Sequence, residues 1–401
     1  MDSHLIDVVI SVCVLLFAAK LMAELFVRLK LPIVLGELLA GMIVGPFAIG
    51  SLITIQNGHL VTLGSEVKIL GEIGAIVILF MAGLGMTPKE FIRGGKASFT
   101  VGTLGVIAPF FVGFVVFQWF GFEAFQAMLV ATALTATSVA ISVQVLSELD
   151  KLKTPEARLI IGAAVVDDVL AIAVLSVVTS VGVGGSTVDV MDMTFTIFKV
   201  LGFFAAMAIA AIFVVPRLVN SKLWKASGSI EGVVTAAFFG TAGVAAWIGL
   251  SPILGSFVVG MALSTTKVFE QVDHYTRKLG LIFAPLFFAI IGAQVDFRGI
   301  NPEVLMIGAV IIGVAIITKL TGCGLPAWLF LKNKAQSKRV GIAMISRGEV
   351  GLIVAGVGLS SGVLTSNVYT TIVIMVAVTS IITPVWLKLE YRKEPQENPT
   401  Q

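Results

Sequence analysis

Apolar residues in this chain come in long unbroken blocks, without the short alternation of a strand or the narrow stripe of a surface helix. Phe99–Phe120 and Leu159–Val181 are two such blocks, each close to the roughly 20 residues that carry a helix across a hydrocarbon core. Block by block, the pattern predicts spans over 5–27, 33–49, 68–86, 97–120, 123–147, 156–182, 194–219, 229–249, 251–266, 277–295, 303–331, 337–361 and 367–389. The spans 33–49 and 251–266 are short and rich in Gly and Pro. The expected fold is therefore an all-α polytopic membrane protein of about 13 transmembrane helices, with no soluble domain and only a short tail after Leu389. The first block has neither a basic n-region nor a small-residue cleavage site, so it reads as a retained helix.

Composition agrees with the pattern. Hydrophobic residues make up 57% of the chain and charged ones 13%, with a mean hydropathy of +1.03. Soluble domains carry roughly 25% charge, so a soluble globule of this size could not cover its surface. Cys13 and Cys323 both sit in apolar blocks and read as packing residues, without a disulfide. His4, His59 and His274 fall at predicted helix ends or loops, and no His/Cys cluster points to a transition metal. No cofactor and no nucleic-acid partner is expected; the lipid bilayer is.

The distribution of positive charge tests the span count independently. Alternate loops and the tail hold 21 of the 27 basic residues, among them Arg28, Lys89, Lys151, Arg217, Lys267, Lys332 and Arg392. The opposite side has Lys68 and Arg298 only, and Lys20, Lys199, Lys319 and Arg347 remain inside spans. A miscounted span would scramble this alternation. By the excess of Lys and Arg in cytoplasmic loops, the N-terminus lies outside the cell membrane and the C-terminus in the cytoplasm.

Ionisable side chains near the bilayer centre are costly and mark function by default. Asp167 and Asp168 lie in the middle of 156–182, Lys319 near the middle of 303–331, and Arg347 and Glu349 in the middle of 337–361. Glu37, Glu72, Glu24 and Lys20 lie nearer span ends. Adjacent helical residues point about 100° apart, so Asp167 and Asp168 have different surroundings. One can face a water-filled cavity while the other meets a cation on a neighbouring helix. Lys319, in the apolar context VAIITKLTG, is the natural partner. A purely structural buried salt bridge is the competing account, but one lysine cannot neutralise two carboxylates.

Two further spans are interrupted by polar residues. In TALTATSVAIS, residues 132–142, the hydroxyls of Thr132, Thr135, Thr137, Ser138 and Ser142 can serve as oxygen ligands for a hard cation or as ordinary small-polar packing. In ISRGEVGLIVAGVG, residues 345–358, Arg347 and Glu349 can balance helix-end dipoles or other buried charges. The interruptions fall in the fifth and twelfth spans. Their odd offset makes equivalent helices antiparallel, the signature of inverted repeats whose broken helices meet at the site. One membrane domain then has a first repeat over about 5–182, a linker helix at 194–219 and a second repeat over about 229–389.

The segments LPIVLGELLAGMIVGP, EIGAIVILFMAGLGM, TALTATSVAISVQVL, GAAVVDDVLAIAVLSVV, SPILGSFVVGMALS, APLFFAIIGAQVDF and SRGEVGLIVAGVG together resemble the monovalent cation:proton antiporter-2 family, and within it the NapA-type sodium/proton antiporters. The resemblance runs in order along nearly the whole chain. It implies a 13-helix homodimer with a dimerisation domain, a mobile core domain and two crossed discontinuous helices, here 123–147 and 337–361. It implies that Asp168 carries the ion and that Asp167 pairs with Lys319; from the residues themselves, Thr137 and Ser138 are the candidate discontinuous-helix ligands, with Arg347 and Glu349 as supporting charges. It also implies that an Asp-Asp pair makes exchange electrogenic, where electroneutral relatives carry Asn-Asp. Kef-type potassium efflux members typically carry Gln-Asp and a cytoplasmic nucleotide-binding domain, neither of which this chain has.

The expected activity is exchange of Na+, or Li+, for H+ by competition for one carboxylate, with no metal beyond the transported cation. A K+/proton antiporter of the same family and a sodium-coupled solute symporter are the alternatives. An intramembrane aspartyl protease needs carboxylates from two helices sharing one proton, whereas here both lie on one. A channel needs rings of ligands. The chain is therefore read as a transporter and not an enzyme.

Overall fold

The computed structural model describes residues 3–55, 58–184 and 190–393. Its helices are α1 (Ser3–Arg28), α2 (Ile33–Val44), α3 (Ser65–Leu84), α4 (Pro88–Trp119), α5 (Ala124–Thr135), α6 (Val139–Glu148), α7 (Pro155–Gly184), α8 (Val190–Val219), α9 (Ser229–Trp247), α10 (Pro252–Leu263), α11 (Phe269–Ala293), α12 (Pro302–Lys319), α13 (Leu325–Leu331), α14 (Lys334–Ala343), α15 (Glu349–Ser360) and α16 (Ser366–Arg392). A hairpin of two-residue strands, Thr54–Ile55 with Gly58–His59, joins α2 to α3. Among the described residues, 11 helical segments are long and apolar enough to cross a membrane, and Pro252–Leu263 and Glu349–Ser360 are shorter apolar helices. Together they make the 13 spans, with α5–α6, α12–α13 and α14–α15 each counting once.

Local chemistry sets the boundaries. Thr87 closes a capping box before α4: its Oγ1 accepts from Glu90 N–H at 3.3 Å, and its own N–H donates to Glu90 Oε2 at 2.9 Å. That box starts α4 at Pro88, nine residues before the apolar block at 97. Asn301 caps α12 by accepting from Val304 N–H at 2.9 Å, with Pro302 at the first helical position. α11 begins at Phe269, eight residues before the predicted 277, because its first two turns are an exposed polar helix that includes the Asp273–Arg277 pair. The short spans α2 and α10 end earlier than predicted, at Val44 and Leu263. The final residues 394–401 of the predicted tail lie outside the described part.

The spans sort into two bundles of six. One bundle comprises α1, α2, α3, α9, α10 and α11; the other comprises α4, α5–α6, α7, α12–α13, α14–α15 and α16. Each takes three consecutive spans from each half of the chain, so the halves are inverted six-helix repeats, and α8 packs mainly on α10. In the first bundle the backbones touch. A Cβ on Gly41 would collide with the Ala289 carbonyl, one on Gly292 with the Leu38 carbonyl, and Gly83 and Gly260 bear the same relation to α10 and α3. Cys13 is exposed on the outer face of α1, away from the core of this bundle, and Cys323 is buried.

Contacts between the bundles are few: α6 meets α2 and α3, and α16 meets α2. One end of the molecule carries the basic loops, and polar bonds tie the bundles there. Glu148, the last residue of α6, accepts from Ile33 N–H at 2.9 Å and Val34 N–H at 3.1 Å at the start of α2. Arg392 of α16 donates to the Lys30 carbonyl at 2.8 Å.

Candidate functional site

The two interrupted spans cross. α5 stops at Thr135 and α6 restarts at Val139, while α14 stops at Ala343 and α15 restarts at Glu349. A helix broken inside a membrane strands carbonyls and N–H groups that need partners, and here the two breaks supply them to each other. Ser138 N–H donates to the Ser346 carbonyl at 2.8 Å, and Ser346 Oγ returns a bond to the Ser138 carbonyl at 3.1 Å. Ser142 Oγ donates to the Ala343 carbonyl, and Thr137 Oγ1 makes a long 3.5 Å contact with the Met344 carbonyl. Gly348 is obligatory at this crossing, since a Cβ there would meet Ser138 Cβ at 2.8 Å. Each break brings one helix N-terminus and one C-terminus to the crossing, so opposite dipole ends lie together.

Arg347 and Glu349 sit at these helix ends. The Arg347 guanidinium, fully buried, donates to the Met344 carbonyl at 3.3 Å and to the Ala315 carbonyl of α12 at 3.2 Å. Its backbone is held by α16, with N–H to Thr379 Oγ1 at 3.2 Å and the carbonyl accepting from Ser380 Oγ at 2.9 Å. Arg347 thus neutralises the C-terminal end of α14 and points away from the cavity described below. Glu349 is half-buried in the first turn of α15, the favourable end for a carboxylate, and does line that cavity.

Asp167 and Asp168 follow divergent paths from adjacent positions on α7. Lys319 Nζ donates to Asp167 Oδ1 at 2.7 Å, with both side chains fully buried. Lys319 stands where α12 gives way to a wide π turn, Leu320–Gly324, before α13 resumes the span; such turns frequently mark functional positions. Gly105 of α4 leaves the room: a Cβ there would lie 3.6 Å from both Asp167 Oδ1 and Lys319 Nζ, and 2.6 Å from Cys323 Sγ. Asp168 points elsewhere. It lines a small cavity together with Thr137, Ser138 and Glu349. Ala75, Ile253 and Phe287 close that cavity from the other bundle. Asp168 Oδ2 is buried and has no hydrogen-bond partner. The structure therefore brings Asp168, Thr137, Ser138 and Glu349 to one cavity at the seam between bundles, holds Asp167 with Lys319 behind it, and places Arg347 outside it.

Several contributors had no sequence signal of their own. The π turn lies in an unremarkable apolar stretch, Gly105 is one glycine of 41, and Thr379 and Ser380 look like routine small-polar packing. A buried cluster joining Glu156, Arg339 and Tyr391 likewise leaves no local pattern in the sequence: Arg339 donates to Glu156 Oε1 at 3.1 Å and the Tyr391 hydroxyl donates to the same oxygen at 3.2 Å. It ties α14 to α7 and α16 at the basic end.

The donor set suits a small hard cation, with the carboxylates of Asp168 and Glu349 and the hydroxyls of Thr137 and Ser138 at one cavity. Residues 12–389 match the family model described as sodium/hydrogen exchanger, transmembrane. Among curated proteins, the chain is 36% identical to the Na+/H+-K+ antiporter GerN of Bacillus cereus, covering 95% of each chain. It is 34% identical to a high-affinity Na+/H+ antiporter of Synechocystis, covering 98% of this chain and 92% of the relative. Among solved structures, it superposes on a sodium proton antiporter of Methanocaldococcus jannaschii with a TM-score of 0.69 at 17% identity, covering 97% of each chain; that likeness speaks for the fold. Family model, relatives and fold converge, and the chain belongs to the sodium/hydrogen exchanger family of transmembrane proteins.

Proposed function

We propose that this protein exchanges Na+, or Li+, for H+ across the cell membrane, and that Asp168 is the group for which the two compete. The observation that carries the reading is the split between adjacent carboxylates. Asp167 is already neutralised by Lys319, while Asp168 presents a buried oxygen without a partner to a cavity between the bundles. A lone ionised carboxylate in such a place is costly, so it binds either a proton or a cation. Thr137 and Ser138 supply neutral oxygens, and Glu349 adds a second carboxylate at the cavity wall.

Exchange follows if the cavity opens to one side at a time. The glycine-packed bundle is the fixed partner, and the bundle with crossed helices moves against it, carrying Asp168 between the two sides. The basic end is cytoplasmic, by the charge asymmetry of the loops, so the bonds from Glu148 and Arg392 close the cytoplasmic side in the conformation described here. The N-terminus is then outside. The domain limits are those of the repeats, about 5–182 and 229–389, joined by the linker helix. The protein works as a homodimer through the glycine-packed bundle, whose α1 exposes Leu5, Val9, Phe17 and Leu21.

The Asp167–Lys319 pair makes the cycle electrogenic: a cation arriving beside the pair repels the Lys319 proton, and its departure restores it. The K+/H+ reading keeps a specific support in the Na+/H+-K+ name of the Bacillus cereus relative. The experiment is dissipation of an imposed proton gradient in proteoliposomes on adding Na+, Li+ or K+. Dissipation by Na+ or Li+ is expected. Dissipation by K+ alone would replace the sodium reading, and none by any cation would remove the exchange reading.

A further inference from the structure

Glu37 has no part in the cycle above, yet it is 2% exposed in the second turn of α2 and its Oε2 has no hydrogen-bond partner. An ionised carboxylate left so in an apolar bundle is disfavoured. Its position narrows what it does. Side chains on a helix lean toward its N-terminus, so Glu37 lies over the turn that begins at Ile33. That is the turn whose free N–H groups bond the Glu148 carboxylate from the opposite bundle, at 2.9 and 3.1 Å. Two carboxyl groups thus converge on one helix end across the seam that must part for the cytoplasmic side to open. Glu148 is the ionised member, since both its oxygens accept and the helix N-terminus favours negative charge.

We propose that Glu37 and Glu148 form a proton-operated latch, separate from the transport site, on the cytoplasmic seam. With a proton on Glu37, Glu148 binds the N-terminus of α2 and the seam is shut. When that proton leaves to cytoplasmic water, a second negative charge faces Glu148, weakens its hold and lets α6 part from α2. The other groups at hand set the balance without removing it. Lys20 of α1 is near Glu37, and Lys388 of α16 and the Gln144 amide are near Glu148. At its closest approaches to α2, α11 presents Ala289, Gly292 and Ala293, which carry no charge. Arg392 adds a bond to the Lys30 carbonyl that does not depend on Glu37. An alkaline cytoplasm therefore opens the seam and an acidic one shuts it.

The latch rests on the reading of the basic end as cytoplasmic and of the seam as the moving surface. The test uses inside-out membrane vesicles holding the full chain with Cys13→Ser, Cys323→Ser and Ala140→Cys, the last in the transport cavity. A membrane-impermeant maleimide reads opening of the seam, and Na+-driven proton movement is followed in parallel vesicles whose chain, with or without the glutamate substitution, keeps Cys13, Ala140 and Cys323. In this parent, labelling rises as bath pH rises. Glu37→Gln, nearly isosteric and always neutral, should leave labelling low and flat with pH. Glu148→Gln, which loses the charge that holds the helix end, should raise labelling at acid pH and shift the curve by at least about one pH unit. A Glu37→Gln curve that overlies the parent's would overturn the latch. So would a Glu148→Gln curve with no acid-side rise in protein that still exchanges. The expected labelling pattern without any Na+-driven proton movement would support the latch and count against the exchange reading instead.

Discussion

The two six-helix bundles solve the same problem, packing helices in lipid, by opposite means. The bundle of α1–α3 and α9–α11 has unbroken spans, and its helices approach until glycines of one touch carbonyls of the next, as at Gly41 with Ala289 and Gly292 with Leu38. The bundle of α4–α7 and α12–α16 has two crossed breaks, a π turn, and most of the buried charges, among them Asp167, Asp168, Lys319, Arg339 and Arg347, where the other bundle buries Glu37. Small-residue contact suits a rigid wall, because it leaves no slack. Broken helices and buried ions cost stability, and they are found where backbone and carboxylate must be free to bind something. On the function proposed above, the difference separates scaffold from machinery within one chain.

That separation is open to attack, beginning where the effect is largest. Asp168→Asn keeps the shape and removes the competing charge; Na+-dependent proton movement in proteoliposomes should fall to background while the purified protein keeps its wild-type thermal stability. Wild-type rates would place the carrier elsewhere. Breaking the pair behind it should cost stability first. Asp167→Ala or Lys319→Ala strands a buried charge and should lose about 3–5 kcal/mol, read as a lower melting temperature in detergent. Replacing both should cost less than the sum, and strictly additive losses would rule out the pairing. In the same pair, Lys319→Gln should reduce the current per transported cation on a solid-supported membrane.

In the scaffold the expectation reverses. Gly41→Val drives a side chain into the Ala289 carbonyl and should destabilise by about 3 kcal/mol, the upper end for overpacking, yet the fraction that folds should still exchange. If the surviving fraction were inactive, Gly41 would belong to the machinery. The smallest effect is on the surface: Asp273→Ala removes an exposed i,i+4 partner of Arg277 and should cost only about 0.3–0.5 kcal/mol.

The sequence announced the machinery more clearly than the scaffold, for a physical reason. Charges and hydroxyls within apolar blocks stand out, so the two interrupted spans, the Asp-Asp pair and Lys319 were visible, and basic loop charge fixed the count at 13. That Asp167, rather than Asp168, meets Lys319 was not visible from spacing, because a 100° step says only that they diverge; the family resemblance supplied it. The scaffold's contacts were opaque, since a glycine that touches a carbonyl on another span looks like any other glycine. Glu148 was lost among helix-end charges, because capping another helix across a bundle seam leaves no local pattern. The starts of α4 and α11 were misplaced for a related reason: both helices run several polar residues beyond the membrane, where hydrophobicity stops but hydrogen bonding does not.

The central claim is that one carboxylate, Asp168, holds either proton or cation while its neighbour is already committed. Proton release from the purified protein in weakly buffered detergent, followed with a pH dye on adding NaCl, reads that competition without any vesicle. The account predicts proton release from the wild type, none from Asp168→Asn, and persistent release from Asp167→Asn. Release from Asp168→Asn equal to the wild type's would contradict it.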